Sequence, residues 1–575
     1  MSLNSIISSA SAALIKTQYA ISITDTNIAN ASDTSISRKT YSATANTTVL
    51  ALTEGTVGRV TNSYLSKTMI AKAAEAGRTS VIDEYMQSYD AALGTTDGGD
   101  DLSSLLDAYA TALSGLASSP TSSAEKSSAV SALSAVVSSL SDTSDEIQSL
   151  RTEANKSIAD TVDQINSQLS TIASLNDQIA QGGATGQDLT DLEDQRDTAL
   201  ETLSNLMGVS YYTNSDNRVM VYAPSGDLLV GTTAASLSYT ASSTLDASTS
   251  YPGAISGIYL NGKDVTTSLT GGQLGGLISL RDDILPDEQA KLDALAASLI
   301  DQVNTVANQG TAYPPPDTLS SSTTVAASDA FSATGSVRVA VLDSSGTVVS
   351  TQDIDLSAYS TMGDLVSALD AVDGLSASIS ADGKLVLSAD DSANGVSLGA
   401  LDSSVGADSD DFSSYFGFND LLSGSSAADI ALSSTISADS SRLPTGVLSA
   451  DSALAAGDIG LASGDTTTVT ALQSLLSATQ DFPAAGDFAA QSSTIAGYAA
   501  RFVSSAATKI SQASSDADTA QSVYDYAKTR LENQTAVNLD EETALLTQYQ
   551  AQYEANAQMI SVARDLFDTL MSMVN

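Results

Sequence analysis

Apolar positions recur every seven residues at both ends of this 575-residue chain. Ile7, Leu14, Ile21 and Ile28 stand in one N-terminal column, broadened to a face by Leu3, Ile6, Ala10, Ala13, Thr17 and Ala20. Near the C-terminus Leu546, Tyr553, Ile560, Phe567 and Val574 step by seven. Leu545, Met559, Leu566 and Met573 run beside them, and Tyr549, Asn556, Ala563 and Leu570 form a third column. Residues three, four and seven apart share one side of an α-helix, so both ends predict amphipathic helices. Asn538-Leu539-Asp540-Glu541 has the form of a capping box that starts the last one. No proline precedes Pro120 or follows Pro483, so the main helix breaker is absent from both ends.

Inside these ends the periodicity continues. Val503, Ile510, Ala517, Tyr524 and Leu531 occupy one heptad column, and Ala499, Ala506, Ala513, Ala520 and Ala527 occupy the other. Alanine throughout one column permits close helix approach, and Val503, Ile510, Ala513, Tyr524 and Leu531 are the expected intrachain seam. A long helix is predicted over about 125–180, with Leu133, Val137, Leu140 and Ile147, then Ile158, Ile165, Ile172 and Ile179, flanked by Val162 and Leu169. Another is predicted over 286–308, with Leu285, Leu292, Leu299 and Val306 in register.

The middle differs. Tyr313-Pro314-Pro315-Pro316 marks a stiff boundary. Residues 311–450 hold 18 Asp, no Glu and three basic residues, a composition that favours turns and caps over helix interiors. Val337-Arg338-Val339-Ala340-Val341 alternates into the turn Asp343-Ser344-Ser345-Gly346, and Asp382-Gly383 between Ser378–Ser380 and Lys384–Leu387 predicts a type I′ hairpin. A second β patch runs from Arg218 to Val230 through Ser225-Gly226.

The expected fold class is therefore α+β and multidomain: paired N- and C-terminal helices in a coiled coil, a long-helix bundle domain and a β-rich inserted outer domain. Residues 1–45 with 536–575 form the inner coiled coil. Residues 46–235 with 271–310 and 446–535 form the helical middle domain. Residues 236–270 are a small β insertion, and 311–445 the outer domain.

Composition narrows the function. There is no Cys, His or Trp, and 68 acidic residues face 23 basic ones for a net charge of -45. Without Cys or His there is no disulfide framework, thiol nucleophile, zinc finger or Ser-His-Asp triad. The charge disfavours nucleic acid and anionic membrane surfaces as partners. No apolar run is long enough to insert in a membrane, and no cleaved secretory signal is expected. The charge is uneven, since residues 1–80 carry seven basic residues against four acidic.

Candidate chemistry is weak. Asp408, Asp410 and Asp411, or Asp97, Asp100 and Asp101, could pair as glycosidase carboxylates or bind Ca²⁺, but neither follows the calcium-loop pattern, and solvated loops are the plainer reading. Asp188, Asp191, Asp194 and Asp197 with Arg196 suit an exposed helix face. Gly271-Gly272 and Gly275-Gly276 lack a phosphate-loop Lys, and a turn beside a strand is expected. No catalytic, cofactor-binding or metal-binding residue is assigned, and the chain is read as a non-enzyme.

Several segments resemble the flagellar hook-associated protein 1 family, the first hook–filament junction proteins of the bacterial flagellum. They are Val537-Asn538-Leu539-Asp540-Glu541-Glu542, Gln550 to Ile560 (with Tyr553-Glu554-Ala555-Asn556-Ala557) and Leu566-Phe567-Asp568-Thr569-Leu570. Leu116–Pro120, Val162–Asn166, Asp191–Asp197, Gly271–Leu277 with Arg281-Asp282, Asn304, Gln309-Gly310 and Tyr415-Phe416-Gly417 keep the family's order. After Asn27-Ile28-Ala29-Asn30 the family usually has Gly-Tyr-Ser/Thr-Arg-Gln. Here Ser35-Ile36-Ser37-Arg38-Lys39 stands instead, which implies a longer or more helical turn.

The resemblance implies a secreted structural subunit at the hook–filament junction. It would assemble through Ile7, Leu14, Ile21, Ile28, Leu546, Tyr549, Tyr553, Asn556, Ile560, Phe567, Leu570 and Val574. Implied partners are further copies in a closed ring of about eleven subunits, hook subunits, the next junction protein or filament proteins, and an export chaperone on the C-terminal helix. Export would use the flagellar type III apparatus without signal cleavage. Another axial protein, such as a hook subunit or flagellin, and an acidic surface-layer protein or adhesin are the alternatives. A wall hydrolase lacks an isolated Glu in a suitable setting.

Overall fold

The computed structural model describes residues 3–42, 55–94 and 98–574, without the side chain of Val574. The fold is α+β, with long terminal helices and a β-rich middle. Helix α1 (Leu3–Ala29) leads through turns, with no further helix, into strand β1 (Lys39–Ser42), which pairs antiparallel with β2 (Thr56–Arg59). The more helical of the two expected forms is thus not the one adopted.

The body is built from α2 (Ser63–Ala92), α3 (Leu102–Ser118), α4 (Ser123–Thr185) and α5 (Thr190–Leu206). Helix α4 has 63 residues and is about 95 Å long at 1.5 Å per residue. Its start is capped by the Ser122 hydroxyl, which accepts from the Glu125 N–H at 3.3 Å. Its end is Gly186 in the left-handed region, at φ 73°. Each aliphatic position expected on the α4 stripe is buried, from Leu133 to Ile179.

Helices α6 (Gly272–Ser279) and α7 (Leu285–Asn308) are joined by a π-helical turn over Leu280–Ile284. The glycine cluster expected as a turn beside a strand is therefore a helix. Its reason is packing: a Cβ on Gly276 would lie 2.4 Å from Val81 Cγ1 and 2.7 Å from the Arg78 carbonyl, so glycine lets α6 cross α2 at backbone range.

The outer region has two three-stranded antiparallel sheets. In one, Ser336–Asp343 lies between Val348–Asp355 and Asn394–Gly399; in the other, Lys384–Ala389 lies between Thr318–Thr324 and Leu375–Ile379. Their core is closed by α8 (Met362–Asp370) and α9 (Phe412–Phe416), with Val339, Leu365, Leu387, Phe412 and Phe416 buried together.

The expected type I′ turn at Asp382-Gly383 is not formed. Gly383 N–H donates to the Ser380 carbonyl at 3.0 Å, Ser380 N–H donates to the Lys384 carbonyl at 2.8 Å, and only Gly383 has positive φ. This is a type I turn followed by a left-handed residue, one residue longer than the two-residue form. The hairpins at 223–227 and 343–347 repeat it with Gly226 and Gly346, and the one at 214–218 uses Asn217.

Burial shifts two domain edges. Leu421, Leu422, Ile430, Ile436 on α10 (Ser434–Ala438) and Leu443 lie in the core of the helical body, not with the β-sheets. Leu448 and Leu461 return to pack on Ala340, Leu342 and Val348 of the outer sheet. Ser, Ala and Asp recur on both sides of this crossing, so composition could not mark it. The small β insertion also lies on the body: Leu237, Ile258, Leu260 and Val265 share its core.

The chain finishes with α11 (Thr467–Ser477), α12 (Ile495–Thr535) and α13 (Leu539–Val574). Helix α12 packs along α2, and α13 along α1.

Candidate assembly interface

Helices α1 and α13 run antiparallel. Asn27 Nδ2 donates to Glu542 Oε2 at 3.0 Å near one end, and Gln18 Nε2 donates to Tyr553 Oη at 3.4 Å further along. The residues of α1 that are fully buried are small or polar: Ala10, Thr17, Ala20, Thr24 and Asn27. Thr17 turns its hydroxyl onto the Ala13 carbonyl at 2.7 Å, so the contact column carries no unsatisfied hydroxyl there.

The large aliphatics Ile7, Leu14, Ile21 and Ile28 flank this column half-buried, as do Leu546, Tyr549, Tyr553, Asn556 and Ile560 on α13. Further along α13, Leu566, Phe567 and Leu570 are 51%, 48% and 53% exposed, and Met559, Val562, Met571 and Met573 are also exposed. Only Ala563 is buried there among the described α13 side chains beyond Ile560. Of the seam residues on α12, Ile510 and Ala513 are buried, while Val503, Tyr524 and Leu531 pack half-buried against the body core. The alanine column beside them is buried from Ala499 to Ala527.

The two signature segments meet at the root of the helix pair. Asn27 Oδ1 accepts from the Lys39 N–H at 3.0 Å, and Asn27 Nδ2 donates to the Lys39 carbonyl at 2.9 Å, folding the turn back on α1. Arg38 Nε pairs with buried Glu542 at 2.7 Å, and Arg38 Nη1 lies 3.3 Å from Glu541. The Arg38 N–H donates to the Thr535 carbonyl at 2.7 Å, tying the turn to the last residue of α12. So Asn27-Ile28-Ala29-Asn30 and Asn538–Glu542 carry one shared contact.

The acidic row on α5, expected to face solvent, is occupied. Arg59 reaches Glu193 at 2.8 Å, Asp194 at 2.8 Å and Asp197 at 2.6 Å, Lys39 pairs with Asp191, and Ser37 Oγ donates to Asp194 at 2.6 Å. Burial opposes the charge on Arg59, yet Asp197, Asp194 and Glu193 outweigh it and hold the guanidinium above its ordinary range. Arg196 is also buried, donating to the Asn217 carbonyl at 2.6 Å. Spacing along α5 could not reveal partners that lie more than a hundred residues away.

A second ion cluster went unread in the sequence. Buried Glu288 accepts from Lys291 at 2.8 Å and Lys509 at 2.9 Å, and Asp487 pairs with the same two lysines. Lys291 also sits 4.8 Å from the Phe488 ring centre. The one local signal was Glu288 and Lys291 one helical turn apart beside Leu292.

The suspected carboxylate clusters serve local structure. Asp101 accepts from Ser103 and Ser104 N–H at the start of α3, and Asp411 from Ser413 and Ser414 N–H at the start of α9. Asp410 is raised by partial burial and by Asp408 and Asp411 nearby; Asp97 lies outside the described residues. Among the described residues no acid cluster is arranged to hold a metal ion, and no helix is long and apolar enough to cross a membrane.

Residues 532–573, which include all but the last residue of α13, match the family model for the flagellar basal body rod FlgEFG protein C-terminal. Residues 342–391 match the flagellin hook IN motif, and 86–315 the flagellar hook-associated protein FlgK helical domain. In class, then, these segments are similar to those of flagellar axial proteins. Within that class the chain is similar to flagellar hook-associated protein 1. The protein of that name from Escherichia coli (strain K12) is 26% identical over 316 residues, 53% of this chain and 57% of its own length. The match therefore spans little more than half of that relative. The flagellar hook junction protein FlgK from Burkholderia pseudomallei aligns at a TM-score of 0.47 and 19% identity, over 81% of this chain and 99% of that one.

Proposed function

We propose that this chain is a structural subunit of the bacterial flagellum that forms the junction between hook and filament by assembling through its terminal helices. The observation that carries the reading is the apolar stripe of α1 and α13. Two helices pressed together through alanine and threonine leave Leu566, Phe567 and Leu570 about half in water. Such a stripe is stabilised when further helices cover it. Neighbouring copies in a ring of about eleven, the hook subunits below and the next junction or filament proteins above are the proposed partners. Before assembly an export chaperone on α13 would shield the same stripe. The proposed site residues are Ile7, Leu14, Ile21, Ile28, Leu546, Tyr549, Tyr553, Asn556, Ile560, Phe567, Leu570 and Val574. The proposed location is the flagellum outside the cell, reached without a cleaved signal.

Deleting residues 540–575 tests this. The expected strain makes hooks without filaments and loses flagellin to the medium. Normal filaments in that strain would contradict the reading.

A further inference from the structure

We infer that Arg59 is a positioning residue: by seating the β1–β2 hairpin on the carboxylates of α5, it sets the angle at which the terminal helix pair stands on the helical body. The hairpin is a bracket with two different faces. Toward the body it presents charge. One guanidinium, 11% exposed, binds Glu193, Asp194 and Asp197, and Lys39 adds Asp191. Toward the helix pair it presents a ring and a second cation. Tyr41 stacks on Tyr19 of α1 with ring centres 5.5 Å apart, and Arg38, hydrogen-bonded to the Val60 N–H through its carbonyl, pairs with Glu542 of α13.

The pair is also tied to the body by the Arg38 N–H on the Thr535 carbonyl and by the short chain between α12 and α13. Helix α13 packs extensively on α1 alone, and α1 on α13 and β1. The apolar core of the body includes no residue of α1 or α13. Each part therefore holds itself together by its own packing, and the ion pairs on α5 are the main side-chain contribution to the joint between them. Three carboxylates within about one turn of α5 repel one another once the cation is gone, so without it the bracket is held less firmly, by Lys39 on Asp191 and Ser37 on Asp194. Arg suits this place because its planar fork reaches several oxygens at once; a Lys ammonium is a single point charge. The importance of the angle for assembly rests on the reading above, but the test below does not.

Because the chain has no Cys, spin labels can be placed at Ser22→Cys on α1 and Ser167→Cys on α4, both exposed. The distance distribution between them is measured by double electron–electron resonance on the purified monomer. With Arg59 intact a single narrow distribution is expected. In Arg59→Gln it should roughly double in width, with helical signal and unfolding midpoint retained, because a neutral amide cannot balance the carboxylates. Arg59→Lys should fall between the two, and Asp197→Asn, which removes one contact and leaves the cation, should broaden it least. A distribution unchanged in Arg59→Gln overturns the inference. So does broadening that appears only with loss of helical signal, since Arg59 would then be holding the body's fold and not its angle.

Discussion

Helices α12 and α13 follow one another in the chain and carry the same seven-residue repeat, yet their fates differ. On α12 the alanine column is buried from end to end, because α2 closes it and the body packs behind. On α13 the columns are half-covered near the root and open toward the C-terminus, because among the described residues α1 is the one helix packed extensively along it. Periodicity therefore specifies which face of a helix is apolar, and the number of neighbours decides whether that face is covered within one chain. The uncovered face marks where other chains are needed.

Substitutions should separate the two regions sharply. The largest effect belongs to the body: Ile165→Ala in α4 empties a fully buried site and should lower the unfolding free energy by about 2–5 kcal/mol in urea. Next comes Ala506→Leu, which forces a large side chain into the close α12 contact and should cost about 1–3 kcal/mol by the same assay. Loss of a comparable amount on Ala20→Leu in α1 would erase the distinction, since the helix pair has room to splay and the body does not.

The joint between body and outer sheets gives a pH-dependent test. Lys126, buried, donates to the Tyr313 carbonyl at 2.8 Å and the Ser441 carbonyl at 2.9 Å. Burial brings its amine down to about 8 from an ordinary 10.5, with the Asp439 charge opposing. Between those values the unfolded chain holds a proton that the folded chain has shed, so stability should rise with pH across that window and be flat below it, as far as this group is concerned. Urea midpoints at pH 7.5 and 9.5 should show the rise in the natural chain and lose it in Lys126→Met. The smallest effect is expected on α13: Leu570→Ser should leave monomer stability within about 0.5 kcal/mol while impairing assembly.

Much of this was legible in advance, and the reasons are local. The predicted helices at about 125–180 and 286–308 fall within a few residues of Ser123–Thr185 and Leu285–Asn308, because a stripe repeated over many turns overrides noise at its ends. The turn residues marked the hairpins, though not their type, since one extra residue changes the turn. What could not be read was long-range charge pairing. The row Asp188 to Asp197 looks solvated until Arg59 and Lys39 are folded onto it, and Glu288 with Lys291 looks like a surface pair until Lys509 and Asp487 arrive. The contact column of α1 is a different case. Isoleucine draws the eye, but it is alanine and threonine that let two helices touch.

The most direct test uses the absence of cysteine. A single Phe567→Cys chain is treated with a maleimide as purified monomer and again in isolated hook–filament structures, with exposed Val349→Cys in the outer sheet as the control. Rapid labelling at 567 in the monomer and protection in the assembled structure, with 349 reactive in both, is the expected result. Equal reactivity at 567 in both states would contradict assembly through the terminal helices.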